Sequence, residues 1–281
     1  MLDAGFSAAP NLAMTLHFHK YQGTGNDFVM VDDRARQFPA DDHALVRRLC
    51  DRRLGIGADG LILLRLLEGY DFEMVYFNAD GYLGSMCGNG GRCTVAFARY
   101  LGAIEQTTSF LAADGPHHAS IDPDGTVHLR MQDVAGQQAV EEDVFLDTGS
   151  PHLVRFLPAS SLAELNVFAE GRAIRYNDRF RERGTNVNFV EAPTAAGQPW
   201  QVRTYERGVE NETFSCGTGV TAVALAASRR GASSPIHLRT PGGDLRVSFE
   251  ARPDGSFTQV YLSGPATRVF EGRWEEVTGN R

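Results

Sequence analysis

Over much of this chain apolar and polar residues alternate with the period of two that marks a half-buried strand, and two long runs of small apolar residues interrupt the alternation. Alternation or a short apolar run predicts strands at 15–18, 28–31, 61–64, 72–77, 153–156, 185–190, 200–205, 236–239, 245–249 and 259–262. Residues 109–131 read as further strands, broken by the turn signal Asp122-Pro123-Asp124-Gly125. Asp41 is placed to cap a helix over 42–53, with Ala44, Leu45, Leu49 and Leu54 near helical spacing; a short helix is predicted at 161–168. The first interrupting run carries Val95, Ala96, Phe97, Ala98, Tyr100 and Leu101. It is apolar on most faces, which predicts a buried helix, with Gly102 as its stop. The second carries Val220, Ala222, Val223, Ala224, Leu225, Ala226 and Ala227. Arg229, Arg230 and Gly231 suit its C-terminal end.

Strand, strand, apolar helix, strand, strand therefore occurs twice. The pattern predicts an α/β (α+β) chain built by internal duplication, each half a strongly curved or barrel-like sheet around one central buried helix. The expected divisions are a loose extension at 1–14, with Met14 a possible alternative start; a first half at 15–140; a second at 141–265; and a terminal segment at 266–281. Polar residues 133–142 form the expected link.

Composition narrows the function. The 281 residues are 42% hydrophobic and 22% charged, with a formal net charge of −8. That balance argues against a nucleic-acid or anionic-membrane surface. No apolar run approaches the roughly 20 residues that span a bilayer, and the start lacks a secretory pattern. The expected compartment is the cytoplasm, where thiols stay reduced. Cys50, Cys87, Cys93 and Cys216 lack the paired spacing of a zinc site, so no metal is expected.

The chemistry concentrates where each apolar helix begins. Ser85-Met86-Cys87-Gly88-Asn89-Gly90-Gly91-Arg92-Cys93 precedes the first run, and Ser215-Cys216-Gly217-Thr218-Gly219-Val220 precedes the second. Free N–H groups and the positive end of the helix dipole favour an anion there, and should lower a thiol pKa from about 8.5 toward neutrality. The glycines let a ligand reach the backbone. Two such sites suggest two thiols serving one ligand; Cys50 and Cys93 are assigned to packing. Gln22-Gly23-Thr24-Gly25-Asn26-Asp27-Phe28 is no dinucleotide fingerprint, since the third glycine is missing and no helix follows. It reads either as a plain hairpin connection or as a turn that points the Asn26 amide into a pocket.

Taken together these segments resemble the diaminopimelate epimerase family over residues 15–272. The carriers are Gly-Thr-Gly-Asn26-Asp-Phe, Phe-Asn78-Ala-Asp-Gly, Met-Cys87-Gly-Asn-Gly-Gly-Arg-Cys, Gly-Ser150-Pro-His152, Asn186 with Val-Asn-Phe, Tyr-Glu206-Arg207-Gly and Ser-Cys216-Gly-Thr-Gly. The resemblance implies cofactor-independent epimerisation of LL-2,6-diaminopimelate to the meso form, in lysine and peptidoglycan-precursor biosynthesis, by a homodimer whose active sites lie between the halves of each chain. Cys87 and Cys216 would be the acid/base pair. Asn26, Asn78, Asn186 and Arg207 would hold the far amino-acid group; Gly88, Asn89, Gly217 and Thr218 would hold the reacting carboxylate. His152 and Glu206 would tune or orient the thiols, with Glu206 also contacting substrate. Many members have Asn where this chain has Ser150, Gln where it has Gly60, and Tyr at a dimer contact where it has Phe270. Ser150 keeps a hydrogen-bonding group with shorter reach, whereas Gly60 should lose a side-chain contact. The rival readings are a proline or hydroxyproline racemase of the same fold and, outside enzymes, a thiol redox switch. The racemases usually carry His where Asn89 stands and lack the Glu206-Arg207 pair.

Overall fold

A computed structural model describes residues 14–275; the extension expected up to residue 14 (Met14 excepted) and the last six residues of the terminal segment lie outside the described residues. In the first half, β1 (Thr15–Gly23) and β2 (Asn26–Asp32) are followed by α1 (His43–Cys50). Then come β3 (Gly60–Arg65), β4 (Phe72–Asn78) and α2 (Gly88–Tyr100), and finally β5 (Thr107–Ala112), β6 (Gly115–Ile121) and β7 (Val127–Arg130). After β8 (Gln138–Val140) the second half runs β9 (Asp143–Asp147), β10 (Pro151–Leu157), α3 (Val167–Arg175), β11 (Asn186–Glu191) and β12 (Trp200–Glu206). It continues with β13 (Asn211–Thr213), α4 (Gly217–Ser228), β14 (Ile236–Thr240), β15 (Gly243–Ala251) and β16 (Phe257–Gly264). The last strand is β17 (Thr267–Glu275).

The duplication extends to the pairing sense of seven successive strands in each half. Along the first half the ladder reads β1 antiparallel to β2, β2 parallel to β3, β3 antiparallel to β4, β4 parallel to β5, then β5, β6 and β7 antiparallel. The second half repeats this sense for sense through β9, β10, β11, β12, β14, β15 and β16. An antiparallel β7–β16 pair joins the halves into one ladder. β17 returns to pair with β1, and β8 pairs with β9. Parallel neighbours need crossovers, and α1 and α3 occupy equivalent ones.

Each half wraps around its apolar helix. α2 touches β1, β2, β3, β4, β6 and β7; α4 touches β9, β10, β11, β12, β14, β15 and β16. The unbroken apolar run of β3 reflects burial on both faces: Ile62 and Leu64 pack toward α2, while Leu61 and Leu63 pack against Leu45, Val46 and Leu49 of α1. α4 is buried almost all round, as its composition predicts.

Three local expectations are corrected. Asp42, not Asp41, caps α1: its carboxylate accepts from the Leu45 N–H at 2.9 Å. The helix stops at Cys50, so Leu54 stands 82% exposed outside it. The second-half helix starts only at Val167, the end of the 161–168 window, and runs on to Arg175. Glu191 takes the Ser160 and Leu162 N–H groups and Arg203 takes the Leu162 and Leu165 carbonyls, which leaves too few partners for a helix there. Asn166 then caps α3, accepting from Ala169 N–H at 3.0 Å. Residues 109–131 also turn at 113–114, between β5 and β6.

Candidate active site

The N-termini of α2 and α4 meet at a pair of glycines. A Cβ on Gly217 would lie 3.4 Å from the Gly88 Cα, and one on Gly88 would lie 3.6 Å from the Gly217 Cα; the Leu262 methyl fills the angle between them. Cys87 and Cys216 are the N-cap residues of the two helices, both with extended backbone. Two cysteines and two sets of helix N-terminal N–H groups therefore converge from opposite halves.

Polar partners around the thiols differ. The Cys87 thiol donates to Asn26 Oδ1 at 3.4 Å, and the Asn26 amide donates to Asp59 Oδ2 at 2.6 Å. Because Asp59 accepts, the amide end of Asn26 must face it, and the Asn26 atom that Cys87 meets is the acceptor oxygen. Cys216 Sγ lies 3.4 Å from the Thr218 hydroxyl, which lies 2.9 Å from His152 Nε2. Asn188 Nδ2 lies 3.2 Å from the Leu153 carbonyl, which can only accept, and 3.1 Å from His152 Nδ1. The amide therefore donates to Nδ1. The ring proton sits on Nε2 and is donated to Thr218, whose own hydrogen is free to point at Cys216. The Thr204 hydroxyl completes the chain by donating to Asn188 Oδ1 at 3.0 Å. His152 is fully buried; burial first, then the charge of Arg207, lowers its pKa to about 3, so the ring is neutral.

Burial also reverses the expectation of depressed thiol pKa values. Desolvation raises Cys87 and pushes Cys216 up to about 12, and the charge of Glu206 raises both. The N–H groups of Gly90 and Asn89 at Cys87, and Thr218 and the Gly219 N–H at Cys216, pull the other way without winning. Glu206 is itself raised by burial, while its carboxylate accepts from Thr213 at 2.9 Å.

Asn89 bridges the halves: its amide donates to the Ser215 carbonyl at 3.0 Å and faces Asn26 Oδ1 at 3.4 Å. Arg92 holds the other end of that amide at 3.1 Å and also donates to Thr24. The Arg92 guanidinium is wholly buried and, among the described residues, has no carboxylate partner. Sequence reading passed over it, although an arginine in the first turns of a helix apolar on most faces was a usable signal. Asp59, Thr24, Asn188 and Thr204 were missed too; as ordinary loop and strand residues they carry no local signature.

The remaining predicted residues divide. Asn78 ends β4 and is exposed, as is Arg207, whose guanidinium donates to the Arg183 carbonyl at 2.9 Å. Asn186 is buried: its amide donates to Ser150 Oγ and the Pro151 carbonyl, both at 2.9 Å, and its oxygen accepts from the Arg207 N–H at 2.8 Å. It therefore ties Ser150 and Arg207 together rather than pointing freely into the cleft. Ser150, short as it is, meets Asn186 directly.

A family model described as Diaminopimelate epimerase matches residues 18–135 and 144–269. The chain is 49% identical over 260 residues to a diaminopimelate epimerase of Flavobacterium psychrophilum, covering 91% of this chain and 99% of the relative. It is 43% identical over 262 residues to the diaminopimelate epimerase of Chlorobaculum tepidum, covering 89% and 98%. Among solved structures, a PhzF-family phenazine biosynthesis protein from Bacillus anthracis matches with a TM-score of 0.70 at 14% identity, covering 93% of this chain and 99% of that one. A hydroxyproline epimerase from Agrobacterium vitis, solved with bound trans-4-hydroxy-L-proline, matches with 0.63 at 15% identity over 93% and 92%. At that identity these two speak for the fold alone.

Proposed function

The chain belongs to the diaminopimelate epimerase family, and we infer from that premise that Cys87 and Cys216 carry the proton transfers of its reaction. The protein is an isomerase that converts LL-2,6-diaminopimelate to the meso form, in lysine and peptidoglycan-precursor biosynthesis. The α-hydrogen of an amino acid is a very weak acid, and a single base returns the proton mostly to the face it left. Inversion without a cofactor therefore asks for a base on one face and an acid on the other. The observation that carries this reading is the meeting of two cysteine-capped helix N-termini through Gly88 and Gly217.

In the proposed cycle the Cys216 thiolate takes the α-proton and becomes a thiol. The electron pair moves into the adjacent carboxylate, and the Cys87 thiol delivers its proton to the opposite face, becoming the thiolate. The Thr218 hydroxyl, held as a donor by His152, favours the anion at Cys216, whereas Asn26 Oδ1 favours the neutral thiol at Cys87. Both thiols are raised in the dry cleft, so the substrate's ammonium supplies the positive charge that a thiolate needs there. Glu206, itself raised, exchanges the thiol proton and resets the pair. Growing charge on the carboxylate meets the N–H groups of Gly88, Asn89, Gly217 and Thr218, with the Arg92 charge behind them. Arg207 and Asn78, with Asn26, receive the far amino-acid group, and Asn186 and Ser150 position Arg207. No cofactor or metal is invoked.

The protein is further proposed to act in the cytoplasm as a homodimer. Edge strand β17 pairs on one side with β1 and leaves Val269 and Phe270 55% and 47% exposed, a combination that suits burial against a second copy. Among the described residues no helix is long and apolar enough to cross a membrane.

Incubation with LL-diaminopimelate in deuterated water tests the reading. The expected product is the meso isomer with one deuteron at the inverted carbon. Turnover of proline or hydroxyproline but not diaminopimelate would move the protein to the racemase reading; thiol-dependent partner binding with no turnover would favour a redox switch.

A further inference from the structure

Gly60 was expected to cost the site a side-chain contact. The structure fills that space with the ring of Tyr76. A Cβ on Gly60 would lie 2.5 Å from Tyr76 Cε2 and 3.2 Å from its hydroxyl oxygen; one on Gly84 would lie 2.6 Å from Tyr76 Cε1 on the ring's other edge. The phenol thus stands in a slot between two glycines, with the Phe28 ring edge-on at 5.9 Å. The slot opens toward the site. A Gly84 Cβ would also lie 3.1 Å from Asn78 Nδ2, so the ring and the Asn78 amide share one gap, and Asp59, the partner of Asn26, directly precedes Gly60. Burial raises the phenol pKa far above its ordinary value, and the charges of Cys87, Asp59, Cys50 and Glu206 raise it further. The hydroxyl therefore stays protonated at any working pH, within the field of groups from both halves.

We propose that Tyr76 is a substrate-contacting, specificity-determining residue: its hydroxyl, held between Gly60 and Gly84 beside Asn78, hydrogen-bonds the charged far amino-acid group of diaminopimelate. The glycines have a definite role in this arrangement. A side chain on Gly84 would displace the ring and one on Gly60 would meet both the ring and the Phe77 carbonyl, while Tyr76 restores from the neighbouring strand a polar contact that Gly60 cannot make. Covering a strand glycine with an aromatic ring is also a packing device. The ring alone does that work, so removing only the oxygen separates the two roles.

The inference rests on the epimerase reading, which wild-type turnover of LL-diaminopimelate checks in the same assay. Tyr76→Phe keeps the ring and the glycine contacts, so its melting temperature should match wild type. KM for diaminopimelate should rise roughly tenfold or more, the worth of a hydrogen bond to a charged group, with kcat little changed. Competitive inhibition by L-norleucine, which has the reacting end and no polar far end, should be unaffected. An unchanged KM would reduce Tyr76 to packing and overturn the proposal. Equal weakening of diaminopimelate and norleucine would place the hydroxyl at the reacting end and overturn it as well.

Discussion

Acidification should weaken the fold through His152 in an amount that can be worked out. In the folded protein the ring is fully buried and its pKa is held at about 3; in the unfolded chain it returns to the ordinary histidine value of 6.5. Between those values the unfolded chain binds a proton that the folded protein refuses. The stability contributed by keeping this group neutral is complete above pH 6.5 and is lost as pH falls toward 3. At 1.36 kcal/mol per pH unit the loss is about 2 kcal/mol by pH 5 and at most about 5 kcal/mol by pH 3. Urea unfolding at pH 7.5, 6 and 5 measures it, with His152→Gln as the non-titrating comparison. The variant starts lower because it disturbs the Thr218 and Asn188 contacts, so the slope is the quantity to compare. The wild-type advantage should shrink by about 2 kcal/mol between pH 7.5 and 5. Parallel curves would mean that the buried imidazole takes up a proton as readily as a free one, and the donor chain drawn from Asn188 to Cys216 would be wrong.

Arg207→Ala should lose most activity on diaminopimelate while both thiols remain reactive to an alkylating agent. Lysine, which lacks the far carboxylate, should be turned over roughly 10⁴-fold less efficiently than diaminopimelate, and comparison of kcat/KM checks this. Arg92→Gln should lower kcat at least about tenfold, as expected when a preorganised charge is removed from a developing anion, and steady-state kinetics at saturating substrate measures the loss. Phe270→Glu should shift the protein toward monomer in sedimentation analysis.

Much of this arrangement was legible because duplication writes its signal twice. Two cysteines, each followed by glycines and an apolar run, identified the buried helices and placed a thiol at the mouth of each. The continuous apolar run at Leu61 to Leu64 already predicted a strand, whose burial on both faces the structure adds. Other features depended on contacts that no local pattern records. Leu54 keeps helical spacing yet lies outside α1, because the chain turns away after Cys50. The 161–168 window looks helical, but Glu191 and Arg203, distant in sequence, claim its backbone groups. Gly60 looked like a loss until Tyr76 was seen across it. The sign of the thiol shifts was also hidden: a helix N-terminus lowers a thiol pKa, but only the packed structure shows that both sulfurs are dry enough for desolvation to win.

The central claim is that inversion needs both thiols, one on each face of the α-carbon. Its most direct test is the stereochemical outcome with LL-diaminopimelate in deuterated water for Cys87→Ala and Cys216→Ala, each compared with the wild type at equal concentration. The two-thiol account predicts meso product from the wild type and none from either variant, with both variants folded as judged by melting temperature. Formation of meso-diaminopimelate at the wild-type rate by either single variant would contradict it.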